Sequence, residues 1–295
     1  MISADKVDGK LFLEESKRLV DGLLDKYLPP ESADPVRIHE AMRYSVLAGG
    51  KRVRPIIADA SYRYCCGNES QKEETIYKAM TAIELVHTYS LIHDDLPCMD
   101  DDNLRRGILT CHKKFGEAVA VLAGDALHDV AFSLMAQTNS PIAVVELAQA
   151  IGTSGMIGGQ IADIESEGKV LTEDEIISIH NRKTGALIRC SVRIGAILAG
   201  ATELELKKLT EFGEKIGLAF QIVDDLLDIQ GDQELLGKET GSDSKKQKAT
   251  YPGVTGKKEA REIANKLINE AISLLDNKED NMLNFLAEYI GQREN

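Results

Sequence analysis

The sequence predicts an all-α protein, built as a single-domain bundle of long helices. Apolar residues recur at helical spacing along almost the whole chain, and alternating β-branched runs are nearly absent. Only seven prolines interrupt the 295 residues. With 43% hydrophobic residues the chain can bury one large core. We therefore expect residues 1–295 to form one domain.

The amphipathic segments follow one another with short links between them. We predict helices at residues 11–28, 35–48, 73–96, 117–138, 141–161, 172–199, 202–229, 257–276 and 280–290. Pro29-Pro30 ends the first helix and Gly49-Gly50 ends the second. Thr172 and Thr202 are each followed three residues later by a glutamate, which is the capping-box spacing of a helix start.

Residues 233–256 break the helical pattern. The segment QELLGKETGSDSKKQKATYPGVTG is rich in Gly, Ser, Thr and Lys and is too polar for a core. We therefore predict a mobile surface loop at about residues 231–256.

Composition restricts the partners and the compartment. The formal net charge of −13 argues against nucleic acid and anionic membrane surfaces, which bind basic proteins. The five cysteines lack zinc-type spacing, which indicates free thiols in a reducing cytosol. The N-terminus has no signal-peptide pattern, and no apolar run approaches the roughly 20 residues that span a bilayer. We expect a cytoplasmic protein without a membrane span.

An acidic cluster follows the helix predicted at residues 73–96. Five of the nine residues from Asp94 to Asp102 are aspartates, and Pro97 ends the helix near them. Two carboxylates about 4 Å apart repel by roughly 4 kcal/mol at an effective dielectric of about 20. The cluster is therefore either a solvated loop or a site for a divalent cation, and hard oxygen donors suit Mg²⁺.

A second acidic cluster lies near the end of the helix predicted at residues 202–229. Asp224, Asp225 and Asp228 are spaced i,i+3 and i,i+4, so their carboxylates share one helix face. No basic residue stands between Lys215 and Lys238, unlike a solvated face of mixed charge. Two such clusters late in long helices indicate two facing walls of one metal-binding cavity.

The chain also supplies basic residues that could bind phosphate. GGKRVRP, residues 49–55, is a glycine turn that projects three bases, although it could be a solvated connection. Arg105 and Arg106 follow the first cluster and suit bidentate phosphate contacts, although they could simply pair with nearby acids. His87 lies seven residues before Asp94, two turns along the same helix face.

These motifs together resemble the trans-isoprenyl diphosphate synthases, a family of head-to-tail prenyltransferases that includes farnesyl and geranylgeranyl diphosphate synthases. The resemblance runs in collinear order from about residue 41 to 256. It rests on GGKRVRP, HTYSLIHDDLPCMDDDNLRRG, GDAL, GGQIADIESEGK, HNRKTGAL, FQIVDDLLD, LGKETGSD and KATYP. It implies an isoprenoid-synthase bundle around a central cavity.

The resemblance also implies a metal and an allylic diphosphate site. About three Mg²⁺ ions would bridge the two walls to the allylic diphosphate. The metal-ligand set that it implies is Asp94, Asp95, Asp100, Asp224, Asp225 and Asp228. Arg105, Lys183 and Lys238 would help to ionise the allylic C–O bond by neutralising the leaving diphosphate.

A second substrate, isopentenyl diphosphate, is implied on the opposite side of the cavity. The side chains implied to hold it are Lys51, Arg54, His87 and Arg106. Lys183, Thr184 and Gln221 would place dipoles near the developing cation, and Gln160 would be a further polar contact. The released diphosphate would accept the proton, and the loop at 231–256 would act as a lid.

Product length is predicted by one residue below the first cluster. Tyr89 lies five residues before Asp94, about 7.5 Å along a helix axis. Its bulk would stop a growing hydrocarbon tail at the C15 product, farnesyl diphosphate. The alternatives are a geranylgeranyl product, or a Tyr89 that only packs between helices.

The sequence favours two other classes of protein less than a prenyl synthase. A class I terpene cyclase needs no second diphosphate site, so Lys51, Arg54 and His87 argue against it. A non-catalytic subunit of a heteromeric synthase typically loses part of an aspartate motif, and this chain retains both. A homodimer is implied by the family resemblance alone.

Overall fold

The structure is a computed structural model that describes residues 9–66, 73–230, 250–275 and 281–292. Within these ranges helix dominates, and the β structure is limited to one hairpin with strands of two residues. The predicted all-α class is therefore confirmed. Most of the loop predicted at 231–256, including Lys238, lies outside the described residues.

The helices follow one another in chain order. They are α1 (Gly9–Tyr27), α2 (Val36–Val46), α3 (Val53–Cys66), α4 (Glu73–Asp94), α5 (Cys111–Phe115), α6 (Glu117–Ala136), α7 (Pro141–Ile151), α8 (Met156–Ser166), α9 (Glu173–His180), α10 (Ala186–Ala199), α11 (Glu203–Gln230), α12 (Tyr251–Thr255), α13 (Lys257–Ser273) and α14 (Met282–Gly291). One π-helical turn, Asn181–Gly185, joins α9 to α10. The hairpin strands β1 (Leu104–Arg105) and β2 (Ile108–Leu109) pair antiparallel.

Both predicted capping boxes are present. The Thr172 backbone N–H donates to Glu175 Oε2 at 2.8 Å, and the Glu175 N–H donates to Thr172 Oγ1 at 3.3 Å. The Thr202 N–H donates to Glu205 Oε2 at 2.9 Å in the same way. These bonds satisfy backbone donors that have no partner within the helix, so local sequence sets the start of α9 and α11.

The sequence does not predict α3, because GGKRVRP reads as a turn. The turn exists, with positive φ angles of 93° at Gly49, 129° at Gly50 and 52° at Arg52. A helix begins directly after it, since Pro55 falls in the first turn, where a missing N–H breaks no intrahelical bond. The helix then runs through the centre of the molecule.

Two of the long predicted helices are interrupted. The segment predicted at 141–161 divides into α7 and α8 at residues 152–155, where a Cβ on Gly155 would stand 2.0 Å from the Ala150 carbonyl oxygen. The segment predicted at 172–199 contains the π-helical turn. A π-turn inserts one residue into a helix and often occurs at functional sites.

The core lies where α3, α4, α10 and α11 pack together. The backbones of α3 and α10 approach closely at Gly195, where a Cβ would meet the Ala58 carbonyl oxygen at 2.2 Å. Ser61 Oγ donates to the Val192 carbonyl at 2.7 Å in the same contact. This rigid centre holds the ends of α4 and α11 in place.

Two stretches, Glu117–Ala136 and Pro141–Ser166, meet the length and composition of a membrane span. This differs from the expectation that no apolar run is long enough. It is weak evidence for a membrane, because buried helices of globular proteins pass the same test. In each stretch 39% of the apolar window is buried inside the molecule, and the second stretch is broken between α7 and α8.

Candidate active site

A cavity of about 1000 Å³ opens between the ends of α4 and α11, the π-turn, α8 and the start of α3. It brings together all the predicted site residues that the structure describes except Asp95. Those that line it are Lys51, Arg54, His87, Tyr89, Asp94, Asp100, Arg105, Arg106, Gln160, Lys183, Thr184, Gln221, Asp224, Asp225 and Asp228. Lys238 lies outside the described residues.

The first acidic wall forms where α4 ends. The helix stops at Asp94, three residues before Pro97, as the proline predicts. The chain then turns back on itself, and the Asp100 N–H donates to the Asp94 carbonyl at 2.7 Å. This turn brings the two half-buried carboxylates of Asp94 and Asp100 to the same side of the cavity.

Asp95, which the resemblance implies as a metal ligand, does not line the cavity. It lines a smaller pocket behind the cavity, is 3% exposed, and accepts a hydrogen bond from Arg105 Nε at 3.0 Å. Burial raises its pKa to about 6, although the Arg105 guanidinium opposes this shift. Arg105 also pairs with Asp102 at 3.0 Å. Asp95 therefore holds Arg105, which lines the cavity, while its sequence neighbour Asp94 lines the cavity itself.

The second acidic wall lies in the last two turns of α11. Asp224 and Asp228 line the cavity, and each has a buried Oδ1 atom. Asp225 lies between them but is engaged elsewhere. Its carboxylate accepts hydrogen bonds from Gln221 Nε2 and from the Tyr251 backbone N–H, both at 2.9 Å.

His180 and Tyr251 complete the anchoring of Asp225, and sequence reasoning missed both. His180 Nε2 lies 3.5 Å from Asp225 Oδ2. Tyr251 is 1% exposed, and its hydroxyl donates to Glu173 Oε1 at 2.6 Å. The segment predicted as loop thus ends in a packed helix, α12. No local sequence pattern predicts the packing of α12, because the partners of Tyr251 are distant in sequence.

The π-turn delivers two polar side chains to the cavity. Lys183 Nζ donates to Asp163 Oδ2 at 2.6 Å, and Thr184 Oγ1 donates to Gln221 Oε1 at 2.7 Å. Gly159 of α8 allows this approach, since a Cβ there would meet the Lys183 backbone nitrogen at 2.3 Å. Asp163 was not predicted as a site residue, although it lies in the GGQIADIESEGK motif, three residues after Gln160.

Basic residues line the same cavity as the two acidic clusters, and they form its basic wall. Arg54 Nη1 lies 3.5 Å from His87 Nε2, and its guanidinium stacks over the Phe220 ring at 5.7 Å. Burial and the nearby arginines, Arg54 first, hold the pKa of His87 well below its usual value. His87 is therefore neutral at pH 7 and can donate one hydrogen bond to an anion.

Gly50 leaves the space that the Arg106 guanidinium occupies. A Cβ on Gly50 would lie 2.8 Å from Arg106 Cζ, and its φ of 129° is unfavourable for other residues. Arg106 Nη1 also donates to the Gly49 carbonyl.

We expect Gly50→Ala to push Arg106 out of the cavity wall and to raise the KM for the substrate bound there by about tenfold. Steady-state kinetics measures this change. Gly22→Ala is the matched control, because a Cβ on Gly22 would meet open space. Equal KM values for the two variants would contradict the assignment of Arg106 to the wall.

Tyr89 lies five residues before Asp94 on α4 and also lines the cavity. Its ring meets His93 and His128 edge to face, with centroids 5.7 and 5.4 Å away. The hydroxyl is buried and has no hydrogen-bond partner among the described residues. Burial, with Asp94 nearby, raises the pKa of Tyr89 to about 12, so the ring stays neutral.

The cavity has the donor chemistry of a divalent-cation site that is completed by a ligand. Within the described ranges, no three His, Cys, Asp or Glu side chains are close enough to hold a metal on their own. Asp94, at the end of α4, Asp100, in the turn after it, and Asp224, on α11, instead line one cavity. Mg²⁺ prefers oxygen donors and commonly shares its coordination between one or two carboxylates, water and substrate phosphates.

Comparison with known proteins supports an isoprenoid chemistry. A family model described as polyprenyl synthetase matches residues 35–290. The chain is 47% identical to the heterodimeric geranylgeranyl pyrophosphate synthase large subunit 1 of Arabidopsis thaliana, over 94% of this chain and 77% of that protein. It is 43% identical to the farnesyl diphosphate synthase of Escherichia coli (strain K12), over 95% of this chain and 97% of that one.

A solved structure agrees with these matches. The apo crystal structure of an FPP/GFPP synthase from Zymomonas mobilis superposes with a TM-score of 0.83 at 35% identity, covering 97% of this chain and 99% of that chain. The resemblance inferred from the motifs is therefore confirmed. The chain belongs to the polyprenyl synthetase family, as a short-chain trans-isoprenyl diphosphate synthase.

Proposed function

We propose that this protein is a farnesyl diphosphate synthase. It condenses isopentenyl diphosphate head-to-tail with dimethylallyl diphosphate and then with geranyl diphosphate, and it stops at the C15 product. The observation that carries the proposal is one cavity with two acidic walls, a separate basic wall and Tyr89 across its apolar depth. The two acidic walls and the basic wall suit two diphosphates, and Tyr89 suits a short hydrocarbon tail.

Mg²⁺ would be held by Asp94, Asp100, Asp224 and Asp228 and, when bound, would supply the positive charge that lets a diphosphate leave. Asp95 and Asp225 would act behind these ligands, because each is already hydrogen-bonded by other residues.

Side chains of the cavity would assist ionisation of the allylic substrate. Arg105 and Lys183 face the same space as the acidic walls and would neutralise the leaving diphosphate. As the allylic C–O bond breaks, positive charge develops on C1. The Thr184–Gln221 hydrogen bond places a fixed dipole beside that region, which stabilises the cation without reorganisation.

The basic wall would hold the second substrate. Lys51, Arg54, His87 and Arg106 would bind the diphosphate of isopentenyl diphosphate, with neutral His87 as a hydrogen-bond donor. The double bond of this substrate attacks C1 and forms the new C–C bond. A proton is then lost to the released diphosphate, so no side chain is needed as the base.

Geranylgeranyl diphosphate is the alternative product, because the similar proteins include synthases of both products. The position of Tyr89 favours C15. Its ring is 7% exposed, is fixed by two histidine rings, and stands where a longer tail would have to pass.

Incubation with Mg²⁺, isopentenyl diphosphate and dimethylallyl diphosphate tests the proposal. We expect diphosphate release together with a longer prenyl diphosphate. A terpene cyclase would release diphosphate from an allylic substrate without isopentenyl diphosphate, and a non-catalytic subunit would release none. Either result would overturn the proposal.

We also propose that the protein is a cytoplasmic homodimer. Apolar side chains on the outer surface of α6 and α7 support a second copy as the partner: Leu122 is 58% exposed, Ile142 66% and Val145 53%. This face also explains why the two apolar stretches are only 39% buried in one chain.

The double variant Leu122→Glu/Val145→Glu is expected to convert a dimer into a monomer of 32.3 kDa, because buried charges without partners oppose association. Light scattering on a sizing column measures the mass. Leu204→Glu, at a residue 66% exposed on α11, is the control and should leave the dimer intact. A wild-type monomer would refute the homodimer.

A further inference from the structure

Glu84 is a buried acid in the wall that carries basic residues. It is 1% exposed and lines the cavity beside Lys51 and Arg54. A carboxylate in this position repels an incoming diphosphate, so simple electrostatics would favour a neutral residue here. The contacts of Glu84 with two arginines explain why a carboxylate is present here.

Glu84 holds Arg52, the central base of the GGKRVRP turn. Glu84 Oε1 accepts a hydrogen bond from Arg52 Nη1 at 2.8 Å, while Arg52 Nε donates to Asp21 at 2.9 Å and Nη2 donates to the Val46 carbonyl at 2.7 Å. The Arg52 side chain is completely buried by these contacts. Arg52 therefore fixes the turn through its buried side chain, and Lys51 and Arg54 of the same turn line the cavity.

The same carboxylate also reaches Arg106. Arg106 Nη2 lies 3.9 Å from Glu84 Oε1, and Nη1 donates to the Gly49 carbonyl. Arg52 and Arg106 both have left-handed backbones, with φ of 52° and 55°. Such conformations persist only where surrounding contacts impose them, and they occur at functional sites. Glu84 is the shared anchor of these two strained positions.

We propose that Glu84 is a positioning residue for isopentenyl diphosphate. It joins the GGKRVRP turn to Arg106 and so aligns the two halves of the basic wall before substrate binds. The inference rests on the proposed function for the identity of that substrate. Glu84 itself does not touch the diphosphate; it acts through Arg52 and Arg106.

Glu84→Gln tests this role, because a positioning role and a simple charge effect predict opposite changes in the KM for isopentenyl diphosphate. If Glu84 positions the wall, the KM for isopentenyl diphosphate rises about tenfold, a loss of about 1.4 kcal/mol of binding, while the KM for the allylic substrate changes by less than about twofold. If Glu84 acts only as a nearby negative charge, its removal lowers the KM for isopentenyl diphosphate. That fall, an unchanged value, or an equal rise for both substrates would overturn the proposal.

Asp21→Asn is the matched control. Asp21 also pairs with Arg52 at 2.9 Å, but it does not line the cavity and makes no contact with Arg106. We expect this variant to lose stability in a thermal melt with little change in either KM. A rise in the isopentenyl diphosphate KM equal to that of Glu84→Gln would assign the effect to Arg52 stability alone and would overturn the proposal.

Calorimetric titration with isopentenyl diphosphate alone gives a readout that does not depend on turnover. We expect weaker binding by Glu84→Gln than by wild type. If that variant does not fold, Glu84→Asp keeps the charge but withdraws it by one methylene, and it is expected to weaken binding in the same direction. Unchanged binding by the folded variant overturns the inference. Failure of the wild type to bind or elongate any substrate would instead overturn the proposed function.

Discussion

Asp94→Asn and Asp224→Asn are each expected to lower kcat by about a thousandfold, which is the scale of losing a main source of charge stabilisation in an active site. Each change removes one carboxylate from one wall of the cavity. Without that carboxylate, Mg²⁺ would be bound more weakly, and less positive charge would be available to stabilise the leaving diphosphate. Steady-state measurement of diphosphate release gives kcat, and repeating it over a range of Mg²⁺ concentrations should show a higher metal requirement in both variants.

Asp129→Asn is the matched control for these two changes. The Asp129 side chain is 87% exposed on α6, and it is expected to leave kcat and the Mg²⁺ requirement unchanged. Removal of metal with a chelator should abolish turnover, and adding Mg²⁺ should restore it. A wall variant with nearly wild-type kcat and Mg²⁺ requirement would contradict the two-walled site.

Tyr89→Ala is expected to shift the main product from C15 to C20. The change removes a large ring from the apolar depth of the cavity, and no buried polar partner is orphaned, since the Tyr89 hydroxyl makes no hydrogen bond within the described structure. His93 and His128 remain behind it, which limits the added depth. Chromatography of the dephosphorylated products measures the chain length.

Tyr89→Phe is the matched control for product length. It keeps the ring and deletes only the unpartnered hydroxyl, so the product should stay at C15. Tyr89→Ala should also cost stability, about 3 kcal/mol by comparison with other large-to-small core substitutions. An unchanged C15 product from a folded Tyr89→Ala variant would remove Tyr89 from the control of chain length.

Features that depend on residues close in sequence were predictable. The shared face of Asp224 and Asp228 follows from helical spacing, and the end of α4 follows from Pro97. The start of α9 at its capping box has the same local origin. The site residues that the family resemblance implies, apart from Asp95 and the undescribed Lys238, also lie around one cavity.

Features that depend on contacts between distant residues were not predictable. The sequence does not show that Asp95 turns toward Arg105 while Asp94 points into the cavity, because both follow the same helix end. The role of Arg52 depends on Glu84, 32 residues away, and the contact of Thr184 depends on Gln221, 37 residues away. Such partners become visible only when the helices are packed.

The proposed function is tested most directly by the product that the wild-type protein makes from geranyl diphosphate with Mg²⁺ and excess isopentenyl diphosphate. We expect one condensation and accumulation of farnesyl diphosphate, since in the proposed function the two walls ionise the allylic substrate and Tyr89 blocks a further unit. Accumulation of geranylgeranyl diphosphate would contradict the proposed product. Absence of any elongated product would contradict the proposed prenyl transfer itself.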